Sequence, residues 1–77
     1  MATDLTGRHP GTLHLLRYFD TRHLPEDLAA VSTPVGDLAR AMVERLPDGP
    51  ELTTGLRKLL EAKDCLVRAA LDARPTT

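Results

Sequence analysis

Apolar residues recur at helical spacing in two stretches of the second half of the chain. Steps of 3, 4, 3, 4 and 4 residues separate the members of the first stretch, which are Leu28, Val31, Val35, Leu38, Met42 and Leu46. The second stretch continues the pattern, with Lys63 interrupting it, at Leu52, Leu56, Leu59, Leu66 and Ala70. Such spacing predicts two amphipathic α-helices, each with one apolar stripe.

The segment that joins the two stretches, from Leu46 to Leu52, is short. A connection of this length predicts an antiparallel helical hairpin. A lone hairpin buries one seam and little else, so we expect the chain to associate with further copies of itself. On this prediction an aspartate at Leu38 or Leu59 would be a buried unpaired charge and would unfold the protein.

A third, shorter helix is predicted near the start of the chain, from Pro10 to about Phe19, because proline suits the first turn of a helix. Residues 1–8 lack periodicity and are expected to be disordered. Within the first long helix, Thr33 followed by Pro34 predicts a kink or a fresh helix start, since proline lacks the N–H that a helix interior needs.

The last helix carries sequence signals at both of its ends. Asp48 and Glu51 have capping-box spacing at its start, and Pro75 predicts that it ends near Ala73. We therefore expect an all-α fold in which a short helix precedes an antiparallel hairpin over about 25–73. The whole chain, 1–77, is expected to form a single hairpin domain.

Composition narrows the class of partner. The chain carries 10 basic and 11 acidic residues and a net charge of −1, which argues against a duplex-DNA binder with a strongly basic face. No apolar run approaches the roughly 18 residues of a membrane-spanning helix, and no signal peptide is visible. The single cysteine, Cys65, excludes an internal disulfide and suits a reducing cytoplasm.

No arrangement of residues in the sequence predicts a catalytic or metal site. The three histidines, His9, His14 and His23, do not have the i, i+4 spacing of metal ligands on a helix. Cys65 lies mid-helix without a neighbouring base, so we interpret it as a packed thiol. We therefore expect a binding module without a cofactor or metal, rather than an enzyme.

One short segment combines aromatic, cationic and hydroxyl side chains: Tyr18, Phe19, Thr21, Arg22 and His23. Aromatic rings can stack on a nucleobase, and arginine can pair with phosphate. The alternative interpretation is a pair of core anchors followed by a polar loop. Adjacent helical residues point about 100° apart, so Tyr18 and Phe19 cannot both face one core.

Five short motifs follow one another at fixed distances along the hairpin. They are Pro25-Glu26-x-x-x-Ala30-Val31, Asp37-Leu38-Ala39, Glu44-x-Leu46-Pro47-Asp48, Glu51-Leu52-Thr53 and Leu56-x-Lys58-Leu59-x-Glu61-Ala62. This pattern resembles the hairpin domain of the bacteriophage cyclic-nucleotide sponges that counter the CBASS antiphage system. Related hairpins occur in the sponges that counter Thoeris. The resemblance covers roughly Tyr18 to Leu71.

The resemblance implies both an assembly and a function. Members of the family are small helical protomers that form hexamers and bind cyclic di- and trinucleotide signals between subunits without degrading them. Removal of the messenger keeps the CBASS effectors of the host switched off. For this chain the resemblance implies a homohexamer in the cytoplasm of a bacterial host. The implied ligands are cyclic di- or trinucleotides, or cyclic ADP-ribose isomers.

The resemblance also implies site residues for a first pocket. The family has an aromatic residue just after the first helix, beside a Phe-x-Tyr stretch, and in this chain Thr21 stands where that tyrosine would stack. Tyr18 or Phe19 is then the candidate to replace it. The family carries a basic residue near position 33, where this chain has Thr33. Arg22 is expected to supply the missing charge from across a subunit interface.

Arg74 corresponds to an arginine that the family uses in a second pocket, for cyclic trinucleotides. The alternative interpretation of Arg74 is a frayed, solvated helix end whose charge suits the helix dipole. An alternative function also stays open for the chain as a whole. A helical oligomerisation or adaptor module would bind a protein partner through the same apolar seam.

Overall fold

The structure is a computed structural model that describes Leu5 and residues 7–75. The described residues form three α-helices and no β-strand: α1 (Pro10–Arg17), α2 (Glu26–Arg45) and α3 (Pro50–Asp72). The predicted all-α class is confirmed. Helix α1 begins at Pro10 as predicted and ends two residues before Phe19. Helix α3 ends at Asp72, with Ala73 as its C-cap.

Helix α2 continues through Pro34 without a break, so the predicted fresh start at this proline is wrong. Pro34 deprives the carbonyl of Ala30 of its usual donor, but both residues lie on the exposed side of the helix, where water can take that role. Thr33 does not cap a helix either. Its hydroxyl lies 3.1 Å from the hydroxyl of Thr21, in the loop after α1.

The turn between α2 and α3 differs from the predicted capping box. Gly49 is the N-cap of α3, with no side-chain cap hydrogen bond. The carboxylate of Asp48 instead accepts hydrogen bonds from Nε of Arg8 (3.0 Å), the backbone N–H of His9 (2.8 Å) and the hydroxyl of Thr12 (3.2 Å). The carboxylate of Asp48 therefore binds groups at the start of α1 and does not cap α3.

Arg8 fastens the N-terminal segment to the end of α2. Its guanidinium donates to the carbonyl oxygens of Val43 and Leu46, which are among the last acceptors of that helix. The expectation of disorder over residues 1–8 is therefore wrong for Arg8. For residues 1–4 and 6 it lies outside the described residues.

Helix α1 packs on one face of the hairpin, which we call the covered face. On α2 this face consists of small or medium residues, Ser32, Gly36, Ala39 and Val43, all of them buried. The large side chain that packs on this face is Phe19, which is fully buried. A Cβ atom at Gly36 would lie only 2.9 Å from the carbonyl oxygen of Phe19, so the glycine permits the close approach of the two segments.

The other side of the hairpin carries an apolar groove that no described residue covers. The groove has a volume of about 300 Å³ and is lined mainly by Leu38, Met42 and Leu46 of α2 and by Gly55, Leu56 and Leu59 of α3. Leu38 is 48% exposed and Leu46 is 45% exposed. The stripe predicted from the sequence is thus only partly the seam of the hairpin, because α1 docks to one side of it. The expectation that Leu38→Asp unfolds the protein is wrong for a single protomer.

Within the part of the chain that the structure describes, no helix combines the length and the apolar character needed to cross a lipid bilayer.

Candidate functional site

The two neighbouring aromatic residues have opposite environments. Phe19 has no exposed surface, whereas Tyr18 is 53% exposed. The prediction that the two residues cannot both face one core is thus confirmed, although both of them follow the last residue of α1. Phe19 must therefore be withdrawn from the candidate ligand contacts, because a fully buried ring cannot stack on a base. Tyr18 remains accessible, with its ring packed edge-on against His14 at a centroid distance of 5.4 Å.

A cleft of about 410 Å³ lies beside the end of α1 and reaches across to α2. Its apolar lining comes from Leu13 and Leu16 of α1 together with Leu5. Polar and charged residues from three segments complete the lining, namely Arg17, Asp20, Thr21, Arg22 and Arg40. We call this feature the arginine cleft. It combines an apolar surface with three guanidinium groups and one carboxylate.

The arginine cleft brings together two of the six predicted site residues and places a third beside them. Thr21 and Arg22 line it directly, and Thr33 contacts Thr21 through the hydroxyl pair at 3.1 Å. The hydroxyl pair ties the loop after α1 to α2. It therefore holds this wall of the cleft in place.

Arg22 is strongly engaged by its neighbour Asp20. The carboxylate of Asp20 accepts from the backbone N–H of Arg22 at 3.0 Å, from Nε at 3.0 Å and from Nη2 at 2.6 Å. These hydrogen bonds hold the pKa of Asp20 far below its usual range and raise the pKa of Arg22. The cation chosen from the sequence is thus largely neutralised within its own loop.

The other two arginines of the cleft are less engaged. Arg40 pairs with Asp37 one turn earlier in α2, at a distance of 3.5 Å. The guanidinium of Arg17 makes no hydrogen bond or ion pair with any residue that the structure describes. Sequence reasoning missed both residues, although one signal for Arg40 was available. It follows Thr33 by seven residues, which places it on the same side of α2.

Tyr18 lines a separate cleft of about 260 Å³ together with His23, Lys63 and Arg68. Lys63 interrupts the apolar stripe of α3 for a structural reason. Its side chain is largely buried and its ammonium donates to the carbonyl oxygen of Tyr18 at 2.8 Å. Tyr18 and Arg22 therefore do not meet in one cleft of a single protomer. The two clefts adjoin at Asp20, which lines both of them.

Arg74 lies at the open end of the hairpin and lines neither cleft. Its guanidinium holds the carboxylate of Asp27, in the first turn of α2, through two hydrogen bonds of 2.7 and 2.9 Å. This contact lowers the pKa of Asp27 and raises the pKa of Arg74. The interpretation of Arg74 as a frayed helix end is wrong, because the side chain connects the end of α3 to α2.

The described part of the chain holds no group of side chains arranged to bind a metal ion. No three His, Cys, Asp or Glu side chains there lie together as metal ligands. Cys65 is exposed, so its interpretation as a packed thiol is wrong, and its sulfur lies 3.3 Å from a guanidinium nitrogen of Arg68.

Comparisons of this chain with protein-family models, with curated proteins and with solved structures found no match.

Proposed function

We propose that this chain is a phage-type immune-evasion protein that binds cyclic oligonucleotide second messengers and sequesters them without cleavage. The observation that carries the proposal is the arginine cleft. Cyclic di- and trinucleotides combine one negative charge per phosphodiester linkage with flat, largely apolar bases. A cleft with leucines in its lining and guanidinium groups at its edge offers a complementary surface to both parts of such a ligand. Sequestration would keep the CBASS effectors of a bacterial host inactive from within its cytoplasm.

Binding without cleavage is supported by the chemistry of the cleft lining. Hydrolysis of a phosphodiester is accelerated by a general base that can take a proton near neutral pH. The carboxylate in the cleft, Asp20, is hydrogen-bonded by Arg22, and its lowered pKa makes it a weak base. The arginines can stabilise a phosphate but cannot accept a proton from water.

Self-association belongs to the same proposal. A second copy that covers the apolar groove would bury Leu38, Met42 and Leu46, whose exposure is unfavourable in an isolated protomer. Assembly can also bring Tyr18 of one subunit to the arginine cleft of another, which a single protomer does not do. We propose a closed homo-oligomer, because closed symmetry covers the groove in every copy. The specific proposal of a homohexamer rests on the resemblance to the sponge family.

The test of the function is isothermal titration of the purified protein against cyclic di- and trinucleotides and cyclic ADP-ribose isomers. The chain has one Tyr and no Trp, so a nucleotide retained from a cyclase-expressing host would appear as absorbance at 260 nm. We expect saturable binding of at least one cyclic ligand and its intact recovery after denaturation. Linear dinucleotides of the same bases serve as the control. Absence of heat and of a 260 nm peak across the panel would contradict the proposal.

The apolar groove also fits a second function, that of a helical oligomerisation or adaptor module for a protein partner. An amphipathic helix of another protein could lay its apolar side into a groove of this kind. Light scattering separates the two functions. A stable monomer at micromolar concentration that binds no nucleotide would favour the adaptor function, whereas a closed oligomer that binds a cyclic nucleotide would favour the sponge.

A further inference from the structure

We infer that Arg17 and Arg40, rather than Arg22, supply the phosphate-binding charge of the arginine cleft. Asp20 pairs with Arg22 and so competes with a phosphate for that guanidinium. The inference rests on the proposed function for the identity of the ligand. It goes beyond that function by assigning roles to three residues that neither the motifs nor the resemblance singled out.

The contacts of Arg22 leave it poorly suited to bind a phosphate. Asp20 accepts hydrogen bonds from its backbone N–H, its Nε and its Nη2, and the shortest of these is 2.6 Å. A phosphate oxygen would have to displace this carboxylate or use the remaining N–H groups, which are both of those on Nη1 and the second one on Nη2. The cost of breaking an existing charge-assisted pair would then offset part of the binding free energy.

Arg17 is placed to act without such competition. It is the last residue of α1, is exposed, and lines the cleft next to the leucines of the same helix. Its guanidinium has no carboxylate partner among the residues that the structure describes. A phosphate that reaches Arg17 therefore gains an ion pair without breaking one with any of the described residues.

Arg40 is directed toward the cleft by the glycine one turn before it. A Cβ atom at Gly36 would lie 3.1 Å from Nη1 of Arg40 and 2.9 Å from the carbonyl oxygen of Phe19. The space left by the missing side chain thus holds the guanidinium beside the end of α1. The ion pair of Arg40 with Asp37 is long, at 3.5 Å, and one turn apart on an exposed helix face, so it is readily exchanged.

The chemical class that fits this arrangement is a ligand with a phosphodiester or phosphate group and an apolar ring. Arg17 on α1 and Arg40 on α2 approach the cleft from two elements, so a phosphate between them would bridge the helices. Leu13 and Leu16 supply the apolar surface for the ring.

The experiment is isothermal titration of single variants with cyclic di-AMP and cyclic tri-AMP as probes. Arg17→Ala and Arg40→Ala should each weaken binding by about 10-fold or more, the loss that corresponds to a charged hydrogen bond. Arg22→Ala should change affinity by less than about 3-fold. Asp20→Asn should strengthen binding, because it removes a negative charge from the cleft and releases Arg22. A purely structural role of Asp20 would not produce a gain.

Matched controls are Arg45→Ala on α2 and Arg57→Ala on α3, which remove the same charge from exposed positions outside both clefts. Both should bind like wild type. Arg17→Lys and Arg40→Lys should each keep part of the affinity that the alanine variant loses, and thermal melting shows that each variant is folded. A large loss in Arg22→Ala together with wild-type binding by Arg17→Ala and Arg40→Ala would overturn the inference.

A second measurement separates this inference from the proposed function. The Nε–Hε signals of the arginines can be followed by NMR during titration with inorganic pyrophosphate. Shifts of the Arg17 and Arg40 signals without a shift of the Arg22 signal would support the phosphate site. If the same protein binds no cyclic nucleotide, only the proposed function is contradicted. Unshifted Arg17 and Arg40 signals in a protein that binds no cyclic nucleotide would overturn both.

Discussion

The two sides of the α2–α3 hairpin bury their residues by different means. The covered face consists of Ser32, Gly36, Ala39 and Val43, which are small enough for α1 and Phe19 to pack closely upon them. The apolar groove on the other side is built of large residues, with Leu38 and Leu46 nearly half exposed. On α2 the comparison shows that small residues at positions 36 and 39 accompany the burial of Phe19, whereas the larger Leu38 and Leu46 stay exposed.

The largest expected effect is the loss of the anchor on the covered face. Phe19→Ala should reduce the free energy of unfolding by about 3–5 kcal/mol, because it deletes a fully buried ring and leaves a cavity. Denaturant unfolding followed by circular dichroism measures this change. Tyr18→Ala is the matched control at the adjacent position and should cost less than about 1 kcal/mol, since that ring is half exposed. Equal losses of unfolding free energy in the two variants would contradict the difference in burial between Phe19 and Tyr18.

Replacement of glycine by alanine should change the free energy of unfolding in opposite directions on the two sides of the hairpin. Gly36→Ala should destabilise the protein by about 1–2 kcal/mol, because the new Cβ would press on the carbonyl of Phe19. Gly55→Ala in the apolar groove meets no atom within 4 Å and should stabilise by about 0.5–1 kcal/mol through helix propensity. Denaturation at low protein concentration keeps any subunit contact out of the comparison. Stabilisation by both substitutions would show that the covered face is not tightly packed.

A charge in the apolar groove should separate subunits rather than unfold the protomer. Leu38→Asp should weaken self-association by about 10-fold or more, since the carboxylate would be buried in the contact. Helicity should be retained, because position 38 is 48% exposed in the protomer. Light scattering with circular dichroism tests both statements. Thr54→Asp, on an exposed position of α3, serves as the control and should leave the mass unchanged.

The smallest expected effect concerns the ion pair that fastens α1 near the covered face. Hydrogen bonds from Arg8 and from the backbone of His9 lower the pKa of Asp48 below its ordinary value of 3.8. The folded state therefore binds fewer protons than the unfolded state near pH 4. The stabilisation is fully present above that pH and is lost as the pH falls through the lowered folded pKa.

Asp48→Asn should accordingly lower the melting temperature near neutral pH and reduce the further drop on acidification. Melting curves at about pH 7, 5 and 3 measure both changes. Arg8→Gln removes the same ion pair together with two hydrogen bonds to the end of α2, so it should lower the melting temperature at least as much. An Asp48→Asn protein with an unaltered acid profile would contradict this account of the carboxylate.

Much of the candidate site depends on contacts that the sequence does not display. Thr21, Arg22 and Tyr18 were found from one local segment, because aromatic, hydroxyl and cationic side chains lie close together there. Arg17 and Arg40 were not found, since they meet only after α1 has docked on α2. The same docking explains why Phe19 is lost as a ligand contact and why Asp48 is engaged by Arg8 instead of capping α3.

Local features of the chain were sufficient for the all-α class, the start of α1, the end of α3 and the expectation that Tyr18 and Phe19 do not both face the core. These features follow from helical periodicity and from proline and capping chemistry, which act over a few residues. Only the tertiary structure decided which side of the hairpin α1 covers and which stripe stays exposed. Each of these outcomes depends on the packing of side chains far apart in sequence, where a single glycine at position 36 determines how closely two segments can approach.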